Sequence, residues 1–230
     1  NLPAPIFPLS APGLWTGMDM SDSWFVHAGV YAGNAGEDVT SNHGFNGGIN
    51  SGDGIVTFVE GVYTYLASAG SGAVKVGGYW HTGEFERFDD GSLETGTGGL
   101  YVVVDHPVSS DREGETTTGV FFRIGISPDE TLSSVTFAAD AGINWRGLIS
   151  NRSDDICGIG IAYAKFGTDY LESARSSGST LTDNEWVVEA SYSCVLNEVV
   201  SLQPYFQYLF EPHFSSENVM LAGIRLSIEM

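Results

Sequence analysis

Apolar and polar residues alternate along most of the chain, and apolar residues almost never recur at helical spacing. Val200, Leu202 and Phe206 share one parity, for example, whereas Gln203 and Gln207 share the other. Such alternation predicts β-strands, because successive side chains of a strand point to opposite faces. It predicts strands at about 23–34, 54–67, 73–85, 99–109, 117–127, 132–147, 154–167, 185–197, 199–211 and 219–230, with a weaker one at 11–19.

The lengths of the strands and connections point to a membrane. Most predicted strands are longer than the roughly five or six residues usual in soluble sheets, and they suit a tilted strand that crosses a bilayer in about 9–11 residues. The polar segments 35–53, 86–98 and 168–184 are long and alternate with short connections, so long loops fall at one edge of the sheet and short turns at the other. The exception is SPDET, which falls at the long-loop edge and is short. This layout predicts an all-β fold, an antiparallel transmembrane β-barrel of the outer-membrane type with about ten or eleven strands.

Charged residues in the middle of the strands alternate with apolar residues, so each strand has one apolar face and one face that carries charge. Arg123 opposes Phe122, Arg225 opposes Leu226, and Glu189 opposes Val188. In a soluble β-sandwich the apolar face would point inward. In a barrel the apolar face meets lipid and the charged face lines water. The residues that the barrel reading places on the water-facing side are Glu60, Lys75, Tyr79, His81, Tyr101, Asp105, Arg123, Asp140, Arg146, Glu189, Gln203, Gln207 and Arg225.

Bulk properties narrow the function. The formal net charge of −20 and the pI near 4.2 argue against nucleic acid as a partner. The chain has no run of 18 apolar residues and its first residues lack the features of a signal peptide. It is therefore expected to be cytoplasmic, already processed, or part of a longer protein. Whether Cys157 and Cys194, which share the apolar parity, are bridged is left open.

Motifs for catalysis or cofactors are missing from the sequence. The acidic pairs are close neighbours along the chain, whereas a glycosidase needs two carboxyl groups facing each other across a cleft. The five histidines lie in separate segments without metal-ligand spacing. We therefore expect no enzyme activity, no metal and no cofactor.

Seven spaced motifs resemble one family. FVEGVYTY, VKVGGYWHTGEF, GLYVVVDHPV, GVFFRIGISPDE, NRSDDICGIGIAYAKF, EWVVEASYSCVL and SLQPYFQYLFEPH follow one another in the order found in carbohydrate-selective porins of the OprB type. The resemblance implies a sixteen-stranded porin whose constriction is lined by charged and aromatic side chains. The motif residues that carry over are Glu60, Lys75, Asp105, Arg123, Asp155, Glu189, Gln203, Gln207 and Arg225.

The family's chains are longer, and this one resembles their C-terminal part. Residues 1–230 are therefore expected to form a single barrel domain that is the C-terminal portion of a longer porin. Ten strands would leave little room for a hexose, and an open sheet edge cannot face hydrocarbon. We expect that strands 23–34 and 219–230 do not pair, and that further strands, N-terminal or on a second polypeptide, complete the wall.

The leading functional prediction is an outer-membrane channel for passive diffusion of monosaccharides and similar small neutral solutes. Opposed acids and bases would create a transverse field, and Tyr79 and Tyr101 would offer flat faces to sugar rings. The expected partners are small sugars, outer-membrane lipid, lipopolysaccharide near the acidic loops, and either two further copies in a homotrimer or a second polypeptide. Two alternatives stay open: a structural or adhesive outer-membrane barrel, and a soluble β-sandwich that binds carbohydrate.

Overall fold

The computed structural model describes residues 11–34, 52–111, 113–179, 181–212 and 217–229. These residues form eleven strands and one helix. In chain order they are β1 Gly13–Ser21, β2 Trp24–Ala32, β3 Ile55–Ala67, β4 Gly70–Glu86, β5 Leu93–Ser110, β6 Thr116–Ile126, β7 Val135–Arg146, β8 Ile156–Phe166, α1 Thr168–Ser176, β9 Asn184–Val195, β10 Val200–Phe210 and β11 Val219–Ile228.

All eleven strands belong to one antiparallel sheet in which each strand pairs with its neighbours in sequence. The all-β antiparallel fold predicted from the alternation is therefore confirmed, and every predicted strand is present. Within the described residues β1 is the first strand of the sheet and β11 is the last, and the two are not paired. The strands predicted at 23–34 and 219–230 are not paired either, so the sheet has two open edges.

The sheet is a single layer with very little core. Among the described residues the buried apolar side chains are Ala32, Val56, Val62, Ala69, Leu132, Leu171 and Leu209. Large apolar residues instead lie exposed on one face, as shown by Leu100, Ile161 and Ile224 with exposed fractions of 62%, 44% and 68%. A sandwich of two sheets would bury this face. An uncovered apolar surface of this extent is what a membrane-facing wall presents.

The two ends of the sheet have connections of different length. At one end the turns are short, and two of them are built around side-chain oxygens. Asp111 Oδ1 accepts hydrogen bonds from the backbone N–H groups of Glu113 and Glu115 at 2.9 and 3.0 Å. Asn197 Oδ1 likewise accepts from Val199 and Val200, both at 2.9 Å. Such local bonds satisfy the backbone of a tight turn, so this end, here called the short-turn end, is compact.

The opposite end, called the long-connection end, differs from the sequence expectation at 86–98. The predicted loop is a turn of only six residues, 87–92, because β4 and β5 extend beyond the predicted strands. Glu84 pairs with Thr95 across this extension, and Arg87 forms ion pairs with Asp89 and Glu94. The segment is polar and rich in glycine, so it lacks the apolar alternation by which strands are recognised. The predicted 35–53 loop lies mostly outside the described residues.

The 168–184 segment contains helix α1, which the sequence did not predict. The helix has nine residues, with acidic Asp169 in its first turn and basic Arg175 in its last, as the helix dipole favours. Only Leu171 is buried, and one apolar position gives no detectable helical period. Among the described residues no helix is long and apolar enough to cross a membrane.

Candidate pore-lining face

Cross-strand partners share a face of the sheet, so the register of the strands assigns every side chain to one of two faces. Thirteen predicted residues lie on one face, which we call the charged face; the opposite side is the apolar face. For example, Lys75 is the direct cross-strand partner of Val103, Val103 of Arg123, and Arg123 of Asp140. The residues are Glu60, Lys75, Tyr79, His81, Tyr101, Asp105, Arg123, Asp140, Arg146, Glu189, Gln203, Gln207 and Arg225.

Oppositely charged and polar side chains are paired along the charged face. Arg123 Nε lies 2.7 Å from Asp140 Oδ1, and Lys75 Nζ lies 3.7 Å from Asp105 Oδ2. The charged members are at least partly exposed, and exposed ion pairs contribute little to stability because water screens them. These pairs are therefore expected to contribute little to the stability of the sheet.

A groove forms on the charged face around Glu60. The Tyr101 hydroxyl donates a 2.9 Å hydrogen bond to Glu60 Oε2, and His27 Nδ1 lies 3.7 Å from Glu60 Oε1. Gly77 lies between Glu60 and Tyr101 in the sheet. A Cβ at Gly77 would lie 2.4 Å from the Tyr101 ring, so glycine is required for the ring to lie flat across the strand.

Aromatic rings complete this groove, which has a volume of about 330 Å³. Trp15, Tyr31 and Phe58 line it together with Glu60 and Tyr101. Parity alone did not single out these three rings, because apolar side chains on a water-facing side give no charge signal. Flat rings beside a carboxylate and a phenol hydroxyl form a surface that suits a polyhydroxylated ring with apolar faces.

Three predicted lining residues have distinct surroundings. His81 has the right parity but is only 1% exposed; its Nε2 lies 3.0 Å from Gly33 O, and its Nδ1 accepts from Gly83 N at 2.9 Å. It is a buried part of the wall.

Arg146 lies at the end of β7 and pairs with Glu115 and Asp154 of neighbouring turns, at 3.8 and 3.5 Å. Arg225, on edge strand β11, forms no ion pair with any described residue.

Glu189 and Gln207 form a polar contact on the charged face near the β11 edge of the sheet. Gln207 Nε2 donates to Glu189 Oε2 at 2.5 Å, and the two residues are direct cross-strand partners. Gln203 is the direct partner of Arg225. Polar residues of the charged face therefore extend to the open edge of β11 at Arg225, whereas the β11 partner of Gln207 is the apolar Leu221.

The connection between β6 and β7, residues 127–134, folds over the charged face at the long-connection end. The Tyr79 hydroxyl lies 3.2 Å from Ser127 Oγ, which lies 2.8 Å from Ser133 Oγ. Leu132 and Ser133 are buried. We call this segment the inward connection. No sequence pattern predicts this position, because SPDET differs from the other connections at this end only in being short.

Asp155, carried over from the family motifs, does not belong to the charged face. It lies in the turn before β8 and is 3% exposed. Arg152 donates to both of its carboxylate oxygens at 2.7 and 2.8 Å, Val195 N donates at 2.9 Å, and the Tyr192 hydroxyl also donates. Burial opposes ionisation, but these donors outweigh it and hold the pKa of Asp155 below its usual value.

Arg152, in the same turn, also contacts Cys194, one of the two cysteines. Arg152 Nη2 lies 2.7 Å from Cys194 Sγ, and both Cys157 and Cys194 are free thiols. Cys157 faces Tyr192 directly across β8 and β9, so Cys194 is its diagonal neighbour. Diagonal neighbours lie roughly 7–8 Å apart, which is farther than a disulfide usually spans.

Acidic residues of the β4–β5 turn are held by an internal cation. Arg87 donates to Asp89 at 2.8 and 2.6 Å and also to Glu94. The hydrogen bonds from Arg87 lower the pKa of Asp89, and those with Asp89 and Glu94 raise the pKa of Arg87. Part of the negative charge predicted to meet lipopolysaccharide is thus neutralised within the turn itself.

A single-layer antiparallel sheet with an exposed apolar face and a charged opposite face is the wall of an outer-membrane β-barrel. A family model for carbohydrate-selective porins, the OprB family, matches residues 3–230. The chain belongs to this family, and the resemblance of its sequence motifs is confirmed. The predicted location in the outer membrane of Gram-negative bacteria agrees with this membership.

Solved structures show the same fold. The high-pH structure of Pseudomonas putida OprB is 19% identical with a TM-score of 0.85, and covers 96% of this chain and 59% of its own. The low-pH structure of the same protein is 15% identical with a TM-score of 0.59, over 94% of this chain and 54% of its own. The chain therefore spans little more than half the length of these relatives. No curated protein matches it.

Proposed function

We propose that this sheet is part of the wall of a water-filled channel through which monosaccharides and similar small neutral solutes diffuse across the outer membrane. The observation that carries the proposal is the segregation of the two faces. Apolar side chains are exposed on one side, and the thirteen predicted polar and aromatic residues lie together on the other. Family membership supports the choice of a carbohydrate as the solute.

The distribution of charge favours neutral, hydroxyl-bearing solutes. Paired acids and bases such as Arg123–Asp140 and Lys75–Asp105 create a field across the channel without attracting ions of one sign over a long range. A sugar can exchange its hydrogen bonds with water for bonds with these side chains, and weak binding lets it leave again. The groove of Trp15, Tyr101 and Glu60 offers a resting place of suitable chemistry.

We further propose that strands outside these residues complete the barrel. The sheet ends at β1 and β11 with unpaired edges, and hydrocarbon cannot hydrogen-bond to an exposed strand edge. Coverage of 59% of a related porin chain supports the same proposal. The additional strands are N-terminal to this chain or belong to a second polypeptide. The mass and N-terminal sequence of the protein purified from outer membranes will decide between these two sources.

Liposome swelling with sugars of graded size tests the channel function. We expect rapid swelling in monosaccharides and progressively slower swelling with size, and no swelling with heat-denatured protein. A folded protein that inserts into liposomes without passing any sugar would indicate a structural or adhesive barrel. A protein that stays dissolved and folded without detergent would indicate a soluble binding module.

A pair of charge-neutralising substitutions tests the role of the charges. Arg123→Gln combined with Asp140→Asn keeps both side chains polar and removes the local field. We expect the double variant to fold normally and to lose part of its preference for sugars over ions of similar size. An unchanged preference would show that this ion pair does not contribute to selectivity.

A further inference from the structure

The groove around Glu60 differs from the rest of the charged face in how its carboxylate is balanced. Asp140, for comparison, lies 2.7 Å from the guanidinium of Arg123. Among the described residues no lysine or arginine forms an ion pair with Glu60. Its two oxygens instead meet the Tyr101 hydroxyl at 2.9 Å and the His27 ring at 3.7 Å. The negative charge of Glu60 therefore has no permanently charged partner in the part of the chain that the structure describes.

The register of the strands keeps ammonium groups away from this carboxylate. The direct cross-strand partners of Glu60 are His27 on β2 and Gly77 on β4. Lys75 lies two residues from Gly77 on the same face, but its Nζ lies 3.7 Å from Asp105 Oδ2. Lys75 is thus already matched by a carboxylate of its own, and Glu60 is available to a cation that arrives from solution.

Aromatic rings form the walls on both sides of the carboxylate. Trp15 is 64% exposed, and its ring lies 5.3 Å from that of His27. Tyr31 and Phe58 meet edge to face at 6.1 Å between ring centroids. All four rings line the groove together with Glu60. Because the face of an aromatic ring carries partial negative charge, such walls attract a cation in addition to packing against apolar groups.

The floor of the groove is backbone, which allows a solute to approach the sheet closely. Gly29 is the direct partner of both Trp15 and Phe58. A Cβ at Gly29 would lie 2.8 Å from the Tyr31 ring, so the ring lies over the strand only because this residue is glycine. The volume of about 330 Å³ is at the lower end of the range for small-molecule sites. It suits one monosaccharide better than an oligosaccharide.

We propose that the Glu60 groove binds monosaccharides that carry a protonated amino group, and that the channel favours them over neutral sugars of the same size. The inference rests on the proposed channel function. The ammonium group pairs with Glu60, and the apolar face of the sugar ring packs on Trp15. A divalent metal fits less well, because Ca²⁺ takes six to eight oxygen ligands and the groove offers one carboxylate and the hydroxyls of Tyr31 and Tyr101.

The main test measures binding to the complete polypeptide in detergent micelles at pH 7, by titration in saturation-transfer NMR. The probes are glucosamine, whose amino group is mostly protonated at this pH, and glucose, which carries a hydroxyl at the same carbon. We expect the wild type to bind glucosamine roughly fivefold more tightly than glucose. Glu60→Gln keeps the size of the side chain, and we expect it to bind the two sugars equally.

The matched control is Glu198→Gln, which changes the net charge by the same amount but lies in the β9–β10 turn at the short-turn end. We expect this variant to keep the preference for glucosamine, since a general attraction of cations to the acidic protein is not the cause. Equal binding of both sugars by the wild type, or an undiminished preference in Glu60→Gln, would overturn the proposal.

Two further measurements keep the proposal testable should Glu60→Gln fail to fold. Raising the salt concentration to about 1 M should weaken the binding of glucosamine by the wild type and leave glucose unaffected, because salt screens only the charged interaction. Trp15→Leu changes an exposed side chain, and we expect it to weaken the binding of both sugars. Glucosamine binding that salt does not weaken would contradict a role for the carboxylate.

Uptake of the two labelled sugars into liposomes, with equal salt on both sides, separates the site from the channel. We expect glucosamine at low concentration to enter faster than glucose through the wild type, and the two rates to become equal in Glu60→Gln. If the wild type passes neither sugar but keeps its preference in micelles, the channel function is wrong and the site stands. If it passes glucose but Glu60→Gln binds both sugars as the wild type does, the site is wrong and the channel function stands.

Discussion

The assignment of the apolar face to lipid can be tested with one charge placed on either side of the same wall. Ala141 lies at the middle of β7, on the apolar face, between its partners Phe122 and Ile161. Ala162, the partner of Asp140, lies at nearly the same height on the charged face. Ala141→Arg and Ala162→Arg thus introduce the same side chain at the same depth in the membrane.

The expected difference is large. An arginine that faces lipid near the bilayer midplane destabilises a barrel by about 2–4 kcal/mol, whereas one that faces the lumen remains in water. This difference corresponds to a factor of roughly 30 to 900 in the folding equilibrium. The arginine at residue 162 would lie in water beside Asp140, which already pairs with Arg123, so its own cost should be small.

The assay is reversible denaturant-induced folding of the complete polypeptide into phospholipid vesicles. Ala141→Leu is the control for bulk without charge, and it should be close to the wild type in stability. Equal destabilisation by the two arginines would refute the assignment of the faces. So would a greater cost at residue 162, because it would place the charged face against lipid.

Three further predictions concern the connections and the thiols. Protease added to intact cells should cleave within 167–183 and spare 147–155, because we expect the long-connection end to be extracellular; the reverse pattern would invert the orientation. Asp155 has a folded-state pKa below its ordinary value of 3.8, so its stabilising effect is present above about pH 4 and lost as the pH falls through the folded pKa. Asp155→Asn should therefore weaken the protein at pH 7 and reduce the loss of thermal stability on acidification, and equal acid sensitivity of both proteins would contradict this role. Cys157 and Cys194 should both react with iodoacetamide in denaturant without reductant, whereas a thiol count of zero would show that the wall can bring them together.

The sequence predicted the strands well because a membrane wall enforces alternation more strictly than a soluble fold does. Each side chain of β10 lies on either the apolar or the charged face, so the alternation of Phe206 and Gln207 predicts the face on which each residue lies. The same reasoning placed Arg225 and Glu189 on one face although 36 residues separate them in the chain. Local pattern was sufficient wherever the environment differs sharply between the two sides.

Prediction failed where the chain leaves this two-sided environment. Helix α1 has only Leu171 buried, so its sequence shows no period, and the extension of β4 and β5 consists of polar and glycine residues. His81 has correct parity, but parity cannot show that Gly33 and Gly83 close around its ring. Asp155 is held by a turn and by the next strand, contacts that depend on the folded path and not on alternation.

The inward connection illustrates the same limit for the candidate site. Its position depends on hydrogen bonds from Phe88 to Thr131 and from Gly167 to Ser134, which are pairs of residues far apart along the chain. Its own sequence contains two serines and one leucine in its second half, a composition that suits an exposed loop equally well. Only the three-dimensional arrangement shows that these residues are buried against the charged face.

The central claim is that the charged face lines the path of the sugar, and one measurement tests it most directly. In a protein with Cys157 and Cys194 replaced by serine, Ala162→Cys and Ile161→Cys place single thiols on adjacent residues of β8 that point to opposite faces. Each is treated with a bulky, membrane-impermeant thiol reagent in liposomes, and monosaccharide swelling is recorded before and after. We predict that the thiol at residue 162 reacts and that the swelling rate falls, while the thiol at residue 161 stays unmodified and the rate is unchanged. Full modification at residue 162 without loss of flux, or reaction and blockage at residue 161 instead, would contradict the account.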